Sequence, residues 1–177
     1  VMATQNPIEQ EGTYPLPEAQ IDRFMFKVIV GYPNPDEELE ILKRMGNINT
    51  NLDLKAVVKP EQILSARKIV DQIHIAENIQ QYIVSLVLAT RNPSEYGLKD
   101  LASLINFGAY PRATIFLATA SKSHAFLNKR GFVIPEDVRS VGKSILRHRI
   151  ILTYEAEAEE ITTEDIIQRI YESVPTP

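Results

Sequence analysis

After Pro33 the apolar positions of the chain recur at intervals of three and four, the spacing that lines one side of an α-helix. Asn34 can cap a first helix and Pro35 can open it, with acids in the first turn (Asp36, Glu37, Glu38), bases in the last (Lys43, Arg44) and a stop at Gly46. The same logic predicts a helix over 60–72, with Ile63, Ala66, Ile69, Val70 and Ile73 on one face, and another over 77–91, with Ile79, Ile83, Leu86, Val87 and Thr90, ended by Asn92-Pro93. A long helix over 111–129 closes at Gly131, and a further one runs from 135 to about 147. Residues 149–154 alternate as a strand does, after which Thr162 or Thr163 caps a last helix reaching about 173. The first 33 residues differ: two strand pieces, 1–3 and 24–30, flank a turn-rich segment holding Pro15 and Pro17. Two strands alone are marginal in water, so this part reads as a fragment of a larger sheet. The expected fold is mainly α, a helical bundle with a short N-terminal α/β remnant.

At 177 residues and 44% apolar composition, the chain can bury one good core. It contains no cysteine, which removes disulfides, thiolate zinc sites and cysteine nucleophiles and is compatible with a reducing cytoplasm. No apolar run is long enough to span a bilayer. Val1, with no charged leader before an apolar stretch, indicates a chain that begins in mid-protein. The net charge of −4 argues against a broadly basic nucleic-acid binder. Charge is nevertheless segregated: Lys122, Lys129, Arg130, Arg139, Lys143, Arg147 and Arg149 form a basic block, followed by an acidic one from Glu155 to Asp165. Such blocks are solvated faces, or contacts between subunits.

Arg112 is the most informative charge. It stands just inside a helix opened by Pro111, where a cation opposes the macrodipole at a cost of a few tenths to about 1 kcal/mol. Something should compensate. Free N–H groups at a helix start, joined by a guanidinium that can bond two oxygens, form a natural phosphate receptor; the plainer alternative is an exposed arginine lying over the bundle. Arg23, between Asp22 and Phe24, reads by itself as half of a surface ion pair. Asn6, before Pro7, reads by itself as a turn residue bonding its own backbone. Gly142-Lys143-Ser144 matches the end of a phosphate loop, but Asp137 stands where that loop needs its other glycine, and the segment lies within a helical pattern. No apolar strand ending in Asp-Glu is present to hold magnesium. His74, His124 and His148 lack metal-ligand spacing, and Phe107, Tyr110, Phe116 and Phe126 read as core or bundle edge.

Three motifs in order, Thr4-Gln5-Asn6-Pro7, Pro17-Glu18-Ala19-Gln20-Ile21-Asp22-Arg23-Phe24 and Gly108-Ala109-Tyr110-Pro111-Arg112-Ala113, resemble the back half of the ATPase module of the MoxR family, a branch of the AAA+ ATPases. The stretch Arg147-His148-Arg149 through Ala156 resembles the end of the MoxR lid. The resemblance implies that Asn6 is the sensor-1 residue orienting the attacking water, Arg23 the arginine finger reaching a neighbour's γ-phosphate, and Arg112 the sensor-2 arginine. It implies that residues 1–33 are the end of an α/β ATPase core and 34–177 the helical lid. ATP hydrolysis with Mg²⁺ in a ring, usually a hexamer, would be coupled to remodelling or maturing client proteins, often ones with a metal-binding von Willebrand-type domain. The chain lacks the phosphate loop, so by itself it is not expected to hydrolyse ATP. A reading from a different class is a non-catalytic helical interaction or DNA-binding module using the basic block.

Overall fold

A computed structural model describes residues 1–5, 16–46 and 55–177. The helices are α1 (Glu18–Ile21), α2 (Pro35–Met45), α3 (Pro60–Gln72), α4 (Glu77–Arg91), α5 (Arg112–Leu127), α6 (Pro135–Leu146), α7 (Tyr154–Ala158) and α8 (Thr163–Ser173). Two 3₁₀ turns, Pro93–Tyr96 and Lys99–Ala102, lead from α4 into strand β1 (Ile105–Phe107), which pairs antiparallel with β2 (Ile151–Leu152). The chain is thus mainly helical, as its periodicity predicts.

Local chemistry accounts for the helix ends. Asn34 accepts from the Glu37 N–H at 2.9 Å while the Glu37 carboxylate accepts from the Asn34 N–H at 2.9 Å, a reciprocal capping box around Pro35. Thr162 caps α8 in the same way with Asp165. The core lies between α4, α5, α6 and α8, where Ile83, Leu86, Leu117, Ile145, Leu146, Ile166, Ile167 and Ile170 are fully buried. Each such side chain contributes about 1.5–3 kcal/mol of burial. Gly142, in the sequence that mimics a phosphate loop, lies inside α6 and is there for packing: a Cβ would come within 1.9 Å of the Tyr171 hydroxyl on α8.

Two expectations are corrected. Neither strand predicted in the first 33 residues forms a ladder; Lys27 N–H donates instead to the Ser144 carbonyl at 2.8 Å. Strand geometry is stable only with a partner edge, and the described residues offer none there. The 149–154 strand shrinks to two residues because Thr153 caps α7, which begins at Tyr154. The predicted stripe of α3 is covered unevenly: Ile73, just past the helix, is buried, Ala66 and Val70 are half-buried, and Ile63 and Ile69 are exposed. Capping by Pro60 and Gln62 therefore defines α3 more than packing does.

Two devices fix the two ends of α5. The Asp137 carboxylate, wholly buried at the head of α6, accepts from Arg130 at 2.5 and 2.7 Å, from the Ile134 N–H at 2.9 Å and from His124 Nδ1 at 2.6 Å. Burial raises its pKa, but these donors outweigh burial and hold it at about 2. At the other end of α5, Gly108 presses on α4: a Cβ would meet the Thr90 carbonyl oxygen at 2.3 Å. Thr90 Oγ1 accepts from the Ala109 N–H at 2.9 Å and Arg91 Nε donates to the Ala109 carbonyl at 2.6 Å, so the turn before Arg112 is seated on the end of α4.

Replacing Asp137 with alanine strands Arg130 and His124 and should lower unfolding free energy by roughly 3 kcal/mol in urea titrations. Because its folded pKa is depressed, the Asp137 contribution is full above the unfolded value near 4 and lost as pH falls through about 2; acid titration of wild type should show that loss and the Asp137→Ala variant should not. Gly108→Ala, forced against backbone, should cost about 1–3 kcal/mol, and a melting temperature equal to wild type would contradict the tight seat.

Candidate functional site

Arg112 is the first residue of α5, a helix whose opening turn contains no acid. The compensation its position demands comes from elsewhere in the chain: Arg112 Nη1 donates to Asp22 Oδ2 at 2.6 Å, with the two side chains 42% and 13% exposed. Asp22 ends the short helix α1, which Pro17 and the following Glu18 start. Immediately after it, Arg23 is exposed, and its guanidinium makes no hydrogen bond or ion pair with the described residues. The fold thus brings Arg112 to the residue preceding Arg23, 90 positions away in sequence. Asn6, the third predicted site residue, lies outside the described residues.

The arrangement depends on a residue that sequence reading did not single out. The Arg149 side chain is 0% exposed, and its guanidinium meets the Asp22 segment along its whole edge. Nε donates to Asp22 Oδ1 at 3.0 Å, Nη2 to the carbonyls of Asp22 at 2.8 Å and Phe24 at 2.5 Å, and Nη1 to those of Met25 at 3.3 Å and Ile145. The Phe116 ring lies 5.0 Å beneath it, close enough for a cation–π contact. Burial lowers the Arg149 pKa and Asp22 raises it again, which makes that carboxylate the counter-ion of a desolvated cation.

His148 completes the clasp. Its Nε2 lies 3.0 Å from the Phe24 carbonyl oxygen and 2.7 Å from Arg149 Nη1. In its Nε2–H tautomer it donates to Phe24; in the other it accepts from Arg149. Burial, with Arg149 beside it, pushes its pKa down to about 4, so the ring is neutral near pH 7. One position further back, Arg147 Nη1 donates to the Lys27 carbonyl at 3.2 Å, and Nε stands 2.9 Å from Glu164 Oε1. The run Arg147-His148-Arg149 is therefore a lock on residues 22–27. Its sequence signal was three adjacent basic residues directly before a buried isoleucine, a poor place for solvated charge.

Little of the basic block is left for a phosphate backbone. Lys122 bonds the Asp71 carbonyl, Arg130 holds Asp137, and Arg139 bonds Tyr82, the Tyr171 carbonyl and Thr176. Among the described residues no group of three or more His, Asp or Glu could hold a metal ion. No described helix is long and apolar enough to cross a membrane.

Comparison with known proteins gives the same picture. A family profile described as the AAA lid domain matches residues 99–170, and one described as the ATPase family associated with various cellular activities matches residues 1–26. The protein Chaperone MoxR1 of Mycobacterium tuberculosis is 46% identical over the whole chain, which covers 46% of that relative. Protein MoxR of Paracoccus denitrificans is 31% identical over the whole chain, which covers 56% of it. A crystal structure from Cytophaga hutchinsonii, of a protein assigned as an ATPase, superposes with a TM-score of 0.91 at 48% identity, over 98% of this chain and 52% of that one. The chain spans about half the length of the curated relatives it matches. Two profiles falling on the ATPase motifs and on the bundle, with relatives matched from end to end of the chain, establish that it belongs to the MoxR family of AAA+ ATPases, whose lid it carries.

Proposed function

We propose that this chain serves as the nucleotide-sensing and finger-bearing part of a MoxR-type AAA+ ATPase. The observation that supports it most is the meeting of Arg112 and the Asp22-Arg23 segment through a 2.6 Å ion pair, which puts Arg112 beside the residue that precedes the exposed Arg23. Residues 1–33 are the end of the α/β core and 34–177 the lid. Arg112, the first residue of α5, receives a phosphate of ATP, an anion whose oxygens its guanidinium can bond two at a time. Arg23 reaches the γ-phosphate of the neighbouring subunit, where a cation stabilises the charge of phosphoryl transfer. Asn6 orients the attacking water.

The protein assembles into a ring, a hexamer, in the cytoplasm and uses ATP hydrolysis to remodel or mature client proteins, among them ones with a metal-binding von Willebrand-type domain. Magnesium would be held outside this chain, which contains neither a phosphate loop nor a strand ending in paired acids, and the chain alone does not hydrolyse ATP. A DNA-binding role is not favoured, since Arg130, Arg139, Arg147 and Arg149 already have partners within the fold.

In the full-length protein, Arg112→Ala should weaken ATP binding or turnover by roughly tenfold or more, the loss of a charged hydrogen bond; unchanged affinity and turnover would remove the sensor-2 role. Arg23→Ala should lower turnover by about a thousandfold with ATP binding retained. Mixing it with subunits defective only in their own phosphate loop should restore part of the activity, and no restoration at any ratio would rule out action across the subunit boundary.

A further inference from the structure

The Asp22 carboxylate is shared between two arginines that differ in one respect. Arg149 is fully buried, stacked on Phe116 and tied to four carbonyls, so it cannot leave without exposing a desolvated charge. Arg112 is 42% exposed, and its pair with Asp22 is the single ion pair it makes among the described residues. One oxygen of Asp22 is therefore permanently engaged, at 3.0 Å from Arg149 Nε, while the other holds a cation that can swing away.

Resting on the roles given above to Arg112 and Arg23, we propose that Asp22 is a positioning residue that competes with nucleotide phosphate for Arg112, with Arg149 as its fixed anchor. Without nucleotide, Asp22 holds Arg112 and neutralises it. When a phosphate takes Arg112, Asp22 loses one counter-charge and keeps the other, so the electrostatics one residue before Arg23 change with the state of the nucleotide that Arg112 touches. Arg149 joins Asp22, Phe24 and Met25 to the end of α6, and Ser144 and Arg147 extend the joint to Lys27, so the segment carrying Arg23 travels with the bundle. The contact of Arg112 on phosphate is thereby linked to the placement of Arg23, the cation that this subunit lends to its neighbour. Reciprocity follows: whatever holds Arg23 against the neighbour biases Asp22, and through it Arg112.

The test uses Asp22→Asn in the full-length protein, with binding of a fluorescent N-methylanthraniloyl ATP measured beside ATP turnover. Removing the competing charge should tighten nucleotide binding by roughly two- to fivefold, the range of a partly exposed ion pair. Turnover at saturating ATP should fall several-fold, because Arg23 loses its positioning. A residue with a purely structural role would not tighten binding, so this opposite movement of affinity and kcat identifies the competition. In the Asp22→Asn, Arg112→Ala double variant the tightening should vanish.

Unchanged or weaker nucleotide affinity in Asp22→Asn, with Arg112→Ala still weakening it, overturns the competition and leaves the sensor-2 role standing. If Arg112→Ala alone has no effect on affinity, that underlying role fails first, and this inference with it. Should Asp22→Asn not fold because Arg149 is left uncompensated, the paired change Asp22→Asn with Arg149→Met removes both buried charges together. It must show the same tightening, and its absence there overturns the proposal equally.

Discussion

A guanidinium taken fully out of water needs a counter-charge and acceptors for its N–H groups, and few segments of a protein can provide both. Arg149 finds them in a stretch that has no regular structure of its own: Asp22 supplies the charge, and the carbonyls of Asp22, Phe24 and Met25 supply acceptors. Those carbonyls would otherwise need a strand partner. The same contacts therefore settle two problems at once, the desolvated cation at the end of α6 and the unpaired backbone after α1. The position of Arg23, and the carboxylate offered to Arg112, both follow from that joint.

The route from sequence to this joint is uneven. Helix starts and stops were legible because they are local: Asn34-Pro35 with Glu37, Thr162 with Asp165, and the glycine after α2 are decided within four residues. The core positions of α4 were legible from their period, and Ile79, Ile83, Leu86, Val87 and Thr90 are all buried. The need for an acid near Arg112 could be stated from the helix dipole, but not which acid, since Asp22 lies 90 residues away. On α3 the period located the helix and its apolar stripe but not the stripe's burial, since Ile63 and Ile69 are exposed. It was silent on β1 and the 3₁₀ turns before it, which are too short to show a period.

Charge patterning proved less informative than individual charges. The basic block suggested a surface, but Arg130 and Arg149 point inward at Asp137 and Asp22, and the exposed Arg139 is tied to the tyrosines of α4 and α8. Likewise Asp137, which in sequence only spoils a phosphate-loop match, is the buried acid that ties the end of α5 to the start of α6. The glycine of that false match is explained by the tyrosine above it. Gly108 has a parallel origin: the small residue sits where α4 leaves no room, and Arg112 is aimed by that contact. In both cases a motif-like glycine reflects helix packing, and only the second lies at the site.

The burial difference between the two partners of Asp22 has a consequence for ionic strength. Mobile ions screen charges that water reaches, over about 8 Å at physiological salt, and screen enclosed pairs much less. Added salt should therefore loosen Arg112 from Asp22 while leaving Arg149 in place, because the first pair opens to solvent and the second does not. A simple electrolyte can in this way act on the exposed arginine of the pair while the enclosed joint to α6 keeps its shape.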